Sequence, residues 1–521
     1  MGTVHAFYQL GRAAWVLARE GVVSALPLDA LPPAARPAAR VAGWIARNRS
    51  RERNRTERLT AALNRLGPSW VKLGQFLATR PDVVGKEIAA DLELLQDRMA
   101  PFPTKLARER IEASLGRPIE GVFSQFSDAV AAASIAQVHR ATRLSDGATV
   151  AVKVVRPGVR ERFRCDLDTF FAAARLAERF SPEARRLRPV AVVETLEQSA
   201  RIEMDLRLEA AALSELGENI AGDPGFSVPA VDWELTGRDC VTMSWVDGIK
   251  LSDVRAIADK GHDLKALAAT LIQSFLRHTL RDGFFHADMH PGNLFVDEAG
   301  RIVAVDLGIM GRLGRKEQRF LAEILFGFIR RDYFRVAEVH FEAGYVPRTH
   351  SVAAFAQAIR AIGEPIHGQS AETISMAKLL TLLFEVTELF DMETRPELLL
   401  LQKTMVVVEG VARTLDPVFN MWKASEPVVG DWIARNLGPA AFVADAAEGL
   451  RAAGHLARQL PELASRAEKL AEQMAAMGEH GFKLSSDSLE GIGKAEARRA
   501  RLGNIALWVI ALTALSVAFF S

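Results

Sequence analysis

His286-Ala-Asp-Met-His-Pro-Gly-Asn293 decides how this chain is read. It sets an acid, Asp288, and an amide, Asn293, five residues apart in a stretch that Pro291 and Gly292 keep out of regular structure. That is the catalytic-loop spacing of a phosphoryl-transfer site: the acid accepts a hydroxyl proton or orients a water, and the amide offers its oxygen to magnesium. Thirteen residues beyond Asn293 stands Asp306-Leu-Gly308, ending the apolar run Arg301-Ile-Val-Ala-Val-Asp306. An acid there is placed to hold the metal that bridges the phosphates. Either acid alone is more often a turn or cap residue. In this order and spacing they predict Asp288 as a catalytic group and Asn293 and Asp306 as metal ligands.

Upstream, Val150-Ala-Val-Lys153 has the form of a strand whose apolar residues bury the lysine stem while the ammonium reaches the nucleotide phosphates. Lys153 is therefore a catalytic and cofactor-binding candidate that needs a carboxylate partner. Within Glu203-Met-Asp-Leu-Arg-Leu-Glu209-Ala, read as one helical stretch, Glu209 is the best candidate. Before that strand, where a kinase carries a glycine-rich loop, stand Ala131, Ala132, Ala133, Ser134, Ile135, Ala136, Gln137 and Val138. Alanine still donates backbone N–H groups, but its Cβ forbids some close approaches that glycine permits.

Composition fits a folded protein with ample core: 521 residues, 49% hydrophobic and 25% charged. The 65 basic and 64 acidic residues leave a net charge of +1, so no global field draws in nucleic acid, and any membrane contact is local. Cys165 and Cys240 are the two cysteines and lack metal-ligand spacing, which suits a reducing compartment. Among the 11 histidines there is no convincing iron-site spacing, and no Gly-x-Gly-x-x-Gly fingerprint occurs, which argues against an iron- or dinucleotide-dependent hydroxylase.

The pattern predicts an α+β, two-lobed fold. Residues 1–110 form a helical extension, 111–247 a small mixed lobe and 248–449 a helical lobe. An amphipathic connector follows at 450–501, then a membrane helix at 502–521. The uncharged run from Ile505 to Phe520 approaches the length of a span, and Lys494, Arg498, Arg499 and Arg501 precede it. The positive-inside tendency then puts the body in the cytoplasm.

Trp70-Val-Lys-Leu-Gly-Gln-Phe-Leu-Ala-Thr-Arg-Pro-Asp82 contains Lys72 and Gln75 at a spacing that shares one helix face. With this Lys-x-Gly-Gln element, the alanine-rich loop, Glu209 and the 286–293 segment, the sequence resembles the UbiB/ADCK family of atypical protein-kinase-like proteins. The resemblance covers most of the chain. It implies binding of ATP or ADP with Mg2+, and an extension, bearing Lys72 and Gln75, that folds over the active site with Lys72 near Glu203 and Asp205. That cover makes these four residues regulatory, sets Lys72 among the catalytic residues as well, and disfavours phosphorylation of proteins in trans. It further implies slow ATP hydrolysis supporting ubiquinone biosynthesis at the bacterial inner membrane, with lipid or isoprenoid quinone intermediates and ubiquinone-biosynthetic enzymes as partners. A small-molecule phosphotransferase and a non-catalytic scaffold are the alternatives.

Overall fold

The computed structural model describes residues 3–22, 46, 54–78, 80, 84–93, 95, 99–180, 185, 187–368, 386, 389–392 and 396–438. The chain divides into two compact units, Met1–Ala434 and Arg435–Ser521, and every element that bears the site belongs to the first. The expected connector and membrane helix lie outside the described residues. Among the described residues no helix is long and apolar enough to cross a membrane.

The extension is helical: α1 (Thr3–Arg19), α2 (Arg55–Leu66), α3 (Pro68–Ala78) and α4 (Lys86–Glu93). Asn54 opens α2 by accepting the Glu57 N–H at 2.8 Å, as an N-cap side chain does. Next, α5 (Thr104–Leu115) stops at Gly116, whose left-handed conformation closes the helix end.

The small lobe is built on β1 (Phe123–Ala132), β2 (Ala136–Arg143) and β3 (Thr149–Val155). Three long helices follow: α6 (Val159–Phe180), α7 (Pro189–Glu203) and α8 (Leu206–Asn219). After them come β4 (Phe226–Ser227), β5 (Val231–Asp232), β6 (Cys240–Ser244) and β7 (Gly248–Lys250). Five of these strands form an antiparallel sheet in the order β1-β2-β3-β6-β5. Alternation decides which way β3 faces. Val150, Val152 and Val154 pack with Ala107 and Ile111 of α5, so Lys153 points to the opposite side, where the site is.

In the large lobe, α9 (Val254–Asp259) and the buried α10 (Leu264–Arg277) precede β8 (Phe284–His286), β9 (Leu294–Asp297), β10 (Ile302–Ala304) and β11 (Met310–Arg312). The rest is helical: α11 (Arg315–Arg330), α12 (Tyr333–Glu342), α13 (Val352–Gly368), α14 (Pro396–Leu415) and α15 (Met421–Leu437). A second sheet runs β4-β10-β9-β7, and β8 pairs with β11. β4 comes from before residue 247 yet pairs with β10, so the expected boundary at 247 runs through a sheet.

One expectation is corrected. Glu203 and Glu209 do not share a helix: α7 ends at Glu203, and Asp205, extended at φ −112° and ψ 94°, begins α8. Asp205 competes for the backbone by accepting the Arg207 N–H, which favours a helix start over continuation.

Candidate active site

Two antiparallel ladders bring Asp288, Asn293 and Asp306 together. β9 and β10 pair Leu294 with Ala304, and the Val305 N–H donates to the Asn293 carbonyl at 3.0 Å, so Asn293 and Asp306 leave the sheet side by side. β8 and β11 pair His286 with Met310, and the Ala287 N–H donates to the Ile309 carbonyl at 3.0 Å. The segment holding Asp288 is thereby pinned beside the one holding Asp306. Asn293 Nδ2 bridges to Asp288, at 3.2 Å from its carbonyl and 3.1 Å from Oδ2. Thr404 of α14 donates to the Ala287 carbonyl at 3.0 Å, buttressing the loop from a helix that no local signal connects to it. The buried His286 presents Nδ1 to the Asp288 N–H at 3.1 Å, so that nitrogen must be unprotonated. Burial also lowers the His286 pKa.

Lys153 is the electrostatic centre. Its ammonium donates to Glu209 Oε1 at 2.7 Å and to Asp306 Oδ1 at 3.1 Å. Burial opposes the lysine charge, but the Asp306 and Glu209 carboxylates outweigh it and hold the pKa well above the ordinary range. The two acids differ. Burial pushes Glu209 up to about 7 despite Lys153. For Asp306 burial again opposes ionisation, yet the Lys153 charge and the bonds from Lys153 and the Gly308 N–H hold it down at about 2. The contrast agrees with exposure: the Glu209 side chain is 5% exposed and that of Asp306 44%.

These residues fit a magnesium nucleotide. Lys153 and Gly308 both bond Asp306 Oδ1, which leaves Oδ2 for a cation. Asn293 spends its side-chain amide nitrogen on Asp288, which leaves its Oδ1. Two hard oxygens from two ligands, with phosphate and water completing the shell, is how magnesium is usually held.

The alanine-rich segment forms a β-hairpin tip rather than a loose loop. Ala131 and Ala132 end β1 opposite Val138 and Gln137 of β2, and the Ala133 N–H donates to the Ala136 carbonyl at 2.8 Å. Arg156 clamps the tip by donating to the Ala133 carbonyl at 3.1 Å, a role the sequence reading missed. Ser134, Ile135, Ala136 and Gln137 are buried. The Gln137 side chain accepts the Phe102 N–H at 2.9 Å and donates to the Phe102 carbonyl at 3.2 Å, so its amide serves the lobe's own packing.

On the extension, α3 presents a buried Lys72 whose ammonium pairs with Glu203 at the end of α7. Gln75, half-buried, follows on the same helix. Asp205 does not simply join Glu203, because its carboxylate takes the Arg207 guanidinium at 2.9 and 2.7 Å.

Comparison with known proteins follows the same outline. Residues 94–340 match a model described as the ABC1 atypical kinase-like domain, and residues 359–420 match one described as the UbiB helical domain. A protein from Marinobacter nauticus named "Probable protein kinase UbiB" is 39% identical over 440 residues, 84% of this chain and 80% of that one. One of the same name from Aliivibrio fischeri is 40% identical, covering 78% of this chain and 75% of its own. Another, from Pseudomonas fluorescens, is 40% identical over 80% of this chain and 78% of its own.

Proposed function

Because the chain belongs to the UbiB family of ABC1 atypical kinases, we propose that it is a magnesium-dependent ATPase whose nucleotide state supports ubiquinone biosynthesis. The observation that carries this reading is the bonding of Lys153 to both Glu209 and Asp306, with Asp306 Oδ2 and Asn293 Oδ1 left open. Lys153, steadied by Glu209, neutralises the nucleotide phosphates. Asp306 and Asn293 hold the magnesium, which offsets charge on the transferring phosphoryl group. Asp288, fixed by Asn293, orients the attacking oxygen and accepts its proton. Lys72, tied to Glu203, covers the side from which a protein substrate would enter, which favours water or a small acceptor over a polypeptide. The alanine hairpin tip, held by Arg156, contributes backbone N–H groups to the phosphates. Anchorage in the bacterial inner membrane, with the body on the cytoplasmic side and isoprenoid quinone intermediates or their enzymes as partners, completes the proposal.

Magnesium-dependent ATP hydrolysis in lipid vesicles tests it, wild type beside Asp306→Asn. Activity in the wild type that drops by about 10²-fold or more in the variant is expected. No detectable turnover in either protein overturns the ATPase reading. In a UbiB-deficient bacterium the wild-type gene should restore quinone content, and failure to do so removes the biosynthetic role.

A further inference from the structure

The helix that bears Lys72 starts at a corner held by three successive turns of α6. Between α2 and α3 the chain reverses at Gly67, with φ +116° and ψ −172°, where a Cβ would run into the Arg162 guanidinium. Only glycine accommodates that backbone readily. Arg162 donates to the Leu66 carbonyl at 2.8 Å and so satisfies a group that the end of α2 leaves open. One turn along, the buried Asp166 faces Ser69 and Trp70, the opening residues of α3. Asp166 Oδ2 and Ser69 Oγ are both buried without a well-formed hydrogen bond. A further turn along, Phe170 receives the Trp70 ring edge-on, with centroids 4.8 Å apart and planes at 87°. Residues 162, 166 and 170 are four apart and therefore share one face of α6.

Such a face does more than fill space. A buried carboxylate lacking a full set of bonds is costly, and burial raises the Asp166 pKa accordingly. Its compensating partners are Ser69 and Trp70 at the start of α3 and the Arg162 and Arg12 guanidiniums. Two residues beyond Trp70 stands Lys72, whose partner Glu203 ends α7, and α7 packs on α6 as well. α6 is thus the common seat of both halves of that ion pair. The pair itself keeps the Glu203 side chain 20% open to water.

We propose that Arg162 and Asp166 are positioning residues for Lys72, setting the orientation of α3 and hence how firmly Lys72 is held over the site. Only the kinetic arm of the test rests on the ATPase reading.

The first measurement is the rate of Lys72 acylation by N-hydroxysuccinimidyl acetate, followed by mass spectrometry on the full-length protein. Asp166→Asn keeps the side-chain shape and removes the charge. Lys72 labelling should rise about tenfold or more, while Lys153 stays protected, because opening is local to α3. Arg162→Gln should act in the same direction, and it decides the matter if Asp166→Asn does not fold. Unchanged Lys72 labelling in the folded variants overturns the proposal, as does a parallel rise at Lys153. The second measurement is ATP hydrolysis by Asp166→Asn in wild-type and Lys72→Ala backgrounds. An effect that vanishes once Lys72 is gone supports positioning through Lys72, whereas an equal effect in both backgrounds overturns it. A wild type that hydrolyses no ATP defeats the ATPase reading and leaves the labelling result standing.

Discussion

Lys153 and Lys72 are both buried and both meet glutamate, yet the molecule holds them by different means. Lys153 projects from the middle of a five-stranded sheet, and its partners come from α8 and from the end of β10. Every element of that triad is part of the two lobes. Lys72 projects from an extension helix, and Glu203 sits at a helix end whose side chain still reaches water. Removing the lysine from the first pair leaves Glu209 only 5% exposed, whereas removing Lys72 leaves Glu203 20% open to water. The lobes therefore hold Lys153 as a fixed component, whereas the Lys72 contact lies close enough to balance to be adjusted. A covering element that regulates a site requires that difference.

The comparison breaks most readily at Lys153. Lys153→Met should lower stability by about 3–5 kcal/mol in chemical denaturation, because Glu209 loses its counter-ion while 5% exposed. That loss should shrink below neutral pH, where Glu209 takes up a proton and ceases to be a buried charge. A loss of the same size at pH 6 and pH 8 would mean that Glu209 does not change its protonation between them.

Lys72→Ala should cost about 1 kcal/mol or less in the same assay while changing ATP turnover. A stability loss as large as that of Lys153→Met would erase the distinction between the two lysines. Glu203→Gln, measured alongside, should match Lys72→Ala in direction.

The smallest effect sharpens the picture within the triad. Glu209 has a folded pKa raised to about 7 from an unfolded value of 4.5, so between those pH values the folded state holds a proton that the unfolded state has lost. Its contribution to stability is thus greatest below the unfolded value and declines as pH rises toward 7. Glu209→Gln should flatten that decline in a pH series of thermal melts. Asp306, held low at about 2, contributes in the opposite sense: its part is present above the unfolded value of 3.8 and is lost as pH falls toward 2. A wild type and a Glu209→Gln variant with the same pH slope from 4.5 to 7 would count against the burial-driven shift.

Much of the site could be read from the chain because its chemistry is local in sequence. Asp288 and Asn293 lie in one short segment, Asp306 ends one strand, and Lys153 sits in a run of alternating valines. What escaped reading was the set of contacts made across long separations. Gln137 stood among the cofactor-binding candidates because of where it falls in the chain, and its amide proves to be engaged with Phe102. The break between Glu203 and Glu209 was invisible because Met204-Asp205 has no proline or glycine to announce it, only an aspartate that caps the next helix. Thr404 reaches Ala287 across 117 residues, and Arg162 meets Leu66 across 96. Nothing in the local pattern around either residue points to its partner.

The sequence by itself determined the family and singled out the candidate site residues, since the identity and spacing of Lys153, Asp288, Asn293 and Asp306 depend on bonding requirements that few residue types meet. Only the tertiary structure decided which carboxylate each lysine meets, how low or high each acid titrates, and what seats the helix bearing Lys72. Those are set by burial and by the approach of elements distant in the chain, and a carboxylate's energy depends on the dielectric and charges around it, which the order of residues does not state.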